Sequence, residues 1–344
     1  PQHKATRGSE NGERPTRAER RAQPSNASRL REAMAAQGAA RAAGASEFTG
    51  ATKPTYTDGG LPVGAIAVIG EGTTLDLLYS SIHGNTANYG AGIYVEYYGL
   101  LTASDCNISD NHATDVTDWY YREGGGVAIY EAQAQFARCT FTGNTADDEG
   151  GGAYVENYSI HAPVSFVDCV FSGNVAEQYG GGAVEFAGGS LDLTNSTFTG
   201  NSAGEAGGAV DAWKWEAQIA VATITRCEFR TNTAAQGGAV WVGYDANVTV
   251  EKCLFAGNHV AQNLSSEYLD AYGGAVFVQL NGNASIAKCT FSGNYVEPWG
   301  NSTGGYGGAI ATETAVVVNN SILWGNTPDQ IAMGGPGIPA NKPS

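Results

Sequence analysis

Side chains able to do chemistry are present in this chain but scattered. Acid–base catalysis or metal binding needs carboxylates gathered on one face with a basic group in reach. The candidates are Asp147, Asp148 and Glu149 in one loop, Glu185 and Asp211 projecting outward after glycine pairs, and Lys214 between Trp213 and Trp215. They fall in separate stretches and read as solvated faces, so no catalytic residue is assigned. His83, His112, His161 and His259 share no repeated partner and receive no role. The cysteines are far from C-x-x-C spacing with no histidine in register, and neither an EF-hand loop nor a G-G-x-G-x-D repeat occurs. No metal and no cofactor is expected.

Whatever these side chains do, a repeat must position them. An apolar-x-apolar pair, two further residues, C-x-F-x-G-N, a small residue, a variable loop and G-G-A-V-x-V recur along the chain. Clear copies run from Val164 and Phe166 through Cys169, Phe171, Gly173 and Asn174, and from Val248 and Val250 through Cys253, Phe255, Gly257 and Asn258. The asparagine column reads Asn85, Asn111, Asn144, Asn174, Asn201, Asn232, Asn258, Asn294 and Asn326, with gaps of 26 to 36 residues. A glycine column at Gly64, Gly90, Gly125, Gly151, Gly182, Gly208, Gly238, Gly274 and Gly308 keeps the same phase. A unit this short cannot bury its apolar face alone, so neighbouring units must stack. The expectation is an all-β chain: a single-stranded right-handed parallel β-helix, a solenoid of about nine coils with an N-terminal arm.

The columns assign inward and outward positions. In C-x-F both side chains share the inward face, and Ser80, Ser196 and Ser321 replace the cysteine in other coils. Cys106, Cys139 and Cys169 form one run and Cys227, Cys253 and Cys289 another; they read as stacked, buried free thiols, with partial pairing as the alternative. The column asparagines belong at a corner, bonding backbone and the asparagine of the next coil. The position inside G-G-A-V-x-V reads Tyr94, Ala128, Tyr154, Glu185, Asp211, Trp241, Phe277 and Ala311. Tyr94, Tyr154, Trp213, Trp215, Trp241 and Phe277 therefore make a candidate exposed aromatic strip for sugar or protein contact, unless the long loops cover it.

Net charge is −16, which argues against nucleic acid as a partner. Residues 1–50 carry nine basic and five acidic side chains, so the remainder, with 9 basic and 29 acidic ones, is the acidic part. No apolar run is long enough for a membrane span. Pro1 shows neither signal peptide nor initiator Met and is read as the start of a mature chain or a fragment. N-x-[ST] acceptors at Asn26, Asn107, Asn157, Asn195, Asn247, Asn263, Asn283, Asn301 and Asn319 suggest a secretory route and N-glycans. The division expected is a basic arm over 1–50 with a short helix from Ser28 to about Ala43, a lead-in or cap over 51–63, the β-helix over 64–326, and a Gly/Pro tail over 327–344. Long loops at Thr114–Glu123, Val260–Tyr272 and Tyr295–Tyr306 fall on one side of the rod.

These repeats resemble the G-G-A-[IV] and F-x-x-N repeats of the chlamydial polymorphic outer-membrane proteins, over residues 64–326 and without a C-terminal translocator barrel. The resemblance implies a right-handed β-helix, cell-surface display, and adhesion or self-assembly. With the charge split, it leads to an expected function: a structural subunit of an extracellular glycosylated fibre or cell-surface coat, a non-enzyme joining copies of itself head to tail through the arm. The alternatives are an adhesin binding glycans or a surface protein, and a polysaccharide lyase or hydrolase of the pectate-lyase-like fold.

Overall fold

A computed structural model describes residues 40–42, 46–49, 63–114, 121–158, 162–214, 220–261, 271–297 and 305–333. Short alternating stretches pair with their equivalents one repeat away, always in parallel. Val184–Phe186, Gly189–Thr194, Thr197–Thr199 and Ser202–Ala203 make one coil, and Val210–Ala212 then returns to pair with Val184–Phe186. Repetition builds three sheets of ten strands and one of eight. The first sheet runs from Ile66–Ile69 to Ile331–Met333, the second from Ala40–Ala42 to Val317–Asn319 and the third from Glu47–Thr49 to Ile322–Trp324. The fourth, of two-residue strands, runs from Thr86–Ala87 to Tyr295–Val296. The expected all-β solenoid is thus present, with eight complete coils and a partial coil at each end, where Thr327 makes only a lone bridge to Tyr295.

The ends differ from expectation. Ala40–Ala42 pairs with Leu75–Leu77, so the final residues of the helix expected from Ser28 are a strand; the rest of that helix lies outside the described residues. Glu47–Thr49 pairs with Ser81–His83 and puts Phe48 against the core. The solenoid therefore starts inside the stretch read as arm. Glu47-Phe48-Thr49-Gly50 repeats the pattern of Thr197-Phe198-Thr199-Gly200, but Ala51 stands where later coils have asparagine, which hides it from a search on that column.

Stacks of like side chains fill the interior. Phe141, Phe171, Phe198, Phe229, Phe255 and Phe291 lie face to face, 4.6 to 4.9 Å between ring centroids, because parallel strands one spacing apart superpose like side chains. The cysteines are buried and free. Thiols and serine hydroxyls in this column accept from the preceding coil: Cys169 N–H donates to Ser196 Oγ at 3.0 Å, Cys253 N–H to Cys289 Sγ at 3.4 Å, and Cys289 N–H to Ser321 Oγ at 3.1 Å. Serine thus does the same work as cysteine, and the breaks between the thiol runs are not breaks in the ladder.

The asparagine column is buried throughout and forms one continuous ladder. Asn174 Nδ2 donates to Asn201 Oδ1 at 2.9 Å and to Phe141 O at 2.9 Å, while its own backbone N–H also donates to Asn201 Oδ1. Every amide so satisfies backbone groups on both sides of a corner that water cannot reach. Gln330 closes the series by accepting from Asn326 Nδ2 at 2.6 Å. The preceding corner, between second and third sheets, is a column of left-handed residues: Tyr79, Asp105, Arg138, Asp168, Asn195, Arg226, Lys252, Lys288 and Asn320, all with φ between 50° and 58°. None is glycine, so the turn is set by the tertiary ladder against local preference.

Candidate functional site

The outward face of the first sheet gathers the side chains singled out above. Register puts Tyr94, Ala128, Tyr154, Glu185, Asp211, Trp241, Phe277 and Ala311 in one row. Beside it run Glu96, Tyr130 and Glu156, and across the preceding turn Tyr89, Glu123 and Glu149. Outward here does not mean exposed. Tyr94, Tyr154, Trp213, Trp241 and Phe277 are all buried, which corrects the expected exposed strip; Trp215 lies outside the described residues. The cause is a second apolar layer on the outside of the sheet, joining these rings to Val63, Tyr89, Ala187, Ala206 and Tyr272, with Tyr130 and Tyr306 packed on it. Tyr130 bridges Tyr94 and Tyr154 at 5.6 and 5.4 Å between centroids, and Tyr272 stacks on Phe277 at 5.0 Å.

Carboxylates are interleaved with the rings, and they too are buried, against the expectation of solvated faces. Tyr130 Oη donates to Glu123 Oε2 at 2.5 Å, Tyr154 Oη to Glu156 Oε2 at 3.0 Å and Tyr158 Oη to Glu156 Oε1 at 2.6 Å. Trp213 Nε1 donates to Glu185 Oε1. Glu185 and Asp211 are neighbours in register, and both carboxylates press on Gly180, where a Cβ would collide with Asp211. Burial raises the acids: Glu96 from 4.5 to about 7, with Tyr94 pulling it down and Glu131 adding to the rise. Burial, then the neighbouring Glu149 charge, push Glu123 well up against its Tyr130 hydrogen bond, and burial raises Glu156 against Tyr158 and Tyr154. These shifts all run toward the protonated form, while the hydroxyls of Tyr130, Tyr154 and Tyr158 are the donors to Glu123 and Glu156. Such carboxyls are suited to proton donation, but here they are packed under rings.

A second cluster joins the loop flanks. Arg122, itself buried, grips Asp148 through Nε at 3.0 Å and Nη2 at 2.9 Å and reaches Asp147 Oδ2 at 3.4 Å. Thr114 Oγ1 donates to Asp147 Oδ2 at 2.8 Å and His112 Nε2 meets Asp147 Oδ1 at 2.9 Å. Burial pushes Asp147 up, but the His112 and Thr114 hydrogen bonds outweigh it and hold the group low, while Asp147 raises His112. Thr114 and Arg122 bracket residues 115–120, which lie outside the described residues, so this cluster ties the two ends of a loop to the next coil. Sequence reasoning missed it because Asp147 and Asp148 looked like loop surface. Lys214 reaches Asp245 at 3.6 Å. Among the described residues no three His, Cys, Asp or Glu side chains converge as metal ligands.

Of the glycan acceptors, Asn107, Asn195, Asn247, Asn283 and Asn319 are exposed. Asn157 is not: it is fully buried, its Nδ2 donating to Ala132 O at 3.1 Å and Ala162 O at 2.8 Å. Asn157 is therefore a structural pin and cannot accept a glycan in the folded chain, because its amide nitrogen is engaged and sealed. Asn26, Asn263 and Asn301 lie outside the described residues.

With this geometry in place the comparison with known proteins falls into line. The family model described as the right handed beta helix region matches residues 63–223 and 217–338. The chain belongs to the right-handed β-helix family, which fixes the hand of the solenoid and includes enzymes and non-enzymes alike. No curated protein and no solved structure matches it.

Proposed function

We propose that this protein is a non-enzymatic structural subunit of an extracellular glycosylated fibre or cell-surface coat, built on repeats of the chlamydial polymorphic outer-membrane type. The observation that carries the reading is the closure of the outer row. Tyr94, Tyr154, Glu185, Asp211 and Trp241 are buried, so the side chains a depolymerising enzyme or a sugar-binding strip would present are spent on packing. The described exterior carries exposed acceptors at Asn107, Asn195, Asn247, Asn283 and Asn319. The test is electron microscopy and glycopeptide mapping of the secreted protein, beside incubation with neutral and acidic polysaccharides. Rods or fibres with sugar on exposed acceptors and none on Asn157 are expected. Release of new reducing ends or unsaturated sugars would replace this reading with the lyase or hydrolase one.

A further inference from the structure

The two ends of the solenoid differ in a way that makes them fit each other. At the C-terminal end the core stack of the described residues stops with Leu323 on Phe291, Val318 on Ile286, and Ile331 on Ile310, all three only partly buried. Met333, at an inward position, is 57% exposed. Just outside that layer Ile322 is 64% and Trp324 74% exposed, where the coil beneath has Thr290 and Ser292. An apolar patch confined to one terminal coil marks a contact surface.

The phase of the ends says what covers it. Within a coil the chain visits first, second, third and fourth sheets in turn. The last described strand, Ile331–Met333, belongs to the first sheet; the first described strand, Ala40–Ala42, belongs to the second. A copy placed one strand spacing above another therefore continues the winding with no sheet skipped and none doubled. We infer that copies of this chain join end to end through a composite coil: Ile331–Met333 of one copy supplies its first-sheet strand, and Ala40–Ala42 and Glu47–Thr49 of the next supply the second and third.

The side chains and charges agree. Phe48, already packed on the core below Ile82, would land on Leu323 and extend the apolar column through the junction. The asparagine ladder needs no continuation there, since Gln330 has closed it and Ala51 holds the matching sequence position in the next copy. The last described strand and the first described strand flank the same corner, between first and second sheets. Charge is complementary as well, since positions 1–50 hold nine basic and five acidic residues and the remaining chain 9 basic and 29 acidic ones. A head-to-tail contact of this kind does not close, so it grows a filament.

This inference rests on the fibre reading, and the experiment separates the two. The full secreted chain is followed by mass photometry and electron microscopy over a concentration series, beside Trp324→Arg/Met333→Glu, both exposed positions whose change leaves the lower core intact, and a chain ending at Met333. A third arm mixes Trp324→Cys copies with Thr49→Cys copies under oxidation. Expected are rods in multiples of about 48 Å, ten strand steps of about 4.8 Å each. The double variant gives single rods with unchanged circular dichroism, and disulfide-linked dimers form only in the mixture. Polymers unaffected by the double variant overturn the composite coil and leave the fibre reading standing. Single rods at every concentration overturn both, and if the chain ending at Met333 then polymerises, its own tail is the occupant of that end.

Discussion

At the scale of single residues, the interior depends on polar side chains placed where hydrophobic arithmetic would not put them. Asn201 accepts from Asn174 and donates to Phe171 O and Asn232, so Asn201→Ala strands donors and acceptors in two neighbouring coils. The expected loss is roughly 3 kcal/mol, the cost of leaving such buried groups unmet, read from denaturant unfolding. Glu96 gives the pH counterpart. Its folded pKa of about 7 lies above the ordinary 4.5, so the folded state holds a proton that the unfolded chain releases across that window. Stability is full below about 4.5 and falls as pH rises toward 7, by about 3 kcal/mol for this group alone. Thermal unfolding should show a higher midpoint at pH 5 than at pH 8, and Glu96→Gln should flatten the difference. The thiols carry a third prediction: the Cys227 contact first, then burial, push Cys253 up to about 12 against the Cys289 contact, so native protein should resist thiol reagents that react at once after denaturation.

At the scale of elements, the corners decide the coil. Gly238 approaches its neighbours so closely that a Cβ would overlap Gly274 O and His259 O, and backbone cannot give way as a side-chain tip can. Gly238→Ala should therefore cost several times what an exposed Gly→Ala change does, seen as a lowered denaturation midpoint and loss of the Trp241 fluorescence environment. The opposite corner behaves otherwise. Arg226, at φ 53°, sits in left-handed conformation by force of the ladder, and its Nε reaches Asn195 Oδ1 at 2.6 Å on the exposed wall. Replacement by glycine should be close to neutral, whereas Arg226→Val, β-branched and intolerant of this region, should destabilise by about 1–2 kcal/mol in the same assay.

For the whole molecule, near-equivalent coils mean that energy is laid down coil by coil, each contacting only its neighbours. Excising residues 174–200 joins Gly173 to Asn201 and removes one full turn while every column stays in phase. The shortened protein should fold and measure one strand spacing less, about 4.8 Å, by small-angle scattering. A cut of half that length would set second-sheet strands against fourth-sheet neighbours and should yield aggregated chain instead. The same reasoning makes the ends special: among the described residues a terminal coil lacks a neighbour on one side, and at the C-terminal end Val317, Ile322, Trp324 and Met333 stand exposed in consecutive strands.

What the amino-acid sequence determined by itself is the period and the inside. Stacking like on like turns a linear repeat into columns, so the asparagines from Asn85 to Asn326 and the C-x-F strands could be placed at corner and core from spacing alone. What only the tertiary structure decided is what lies over the outside. Alternation along a strand says that Tyr154 and Glu185 point away from the cylinder, but not that rings from other coils close over them, because that second layer comes from residues such as Tyr89, Tyr130 and Tyr272 whose equivalents in other coils differ in type, as Glu96, Glu123 and Glu156 do. For the same reason Asp148 and Asn157 read as surface until Arg122 and the Ala132 backbone were seen to hold them. The left-handed corner stayed hidden because Asp, Arg, Lys and Asn fill it in place of glycine. The fit of the two ends was hidden too, since it depends on which sheet each terminal strand joins, a property of the winding and not of any local segment.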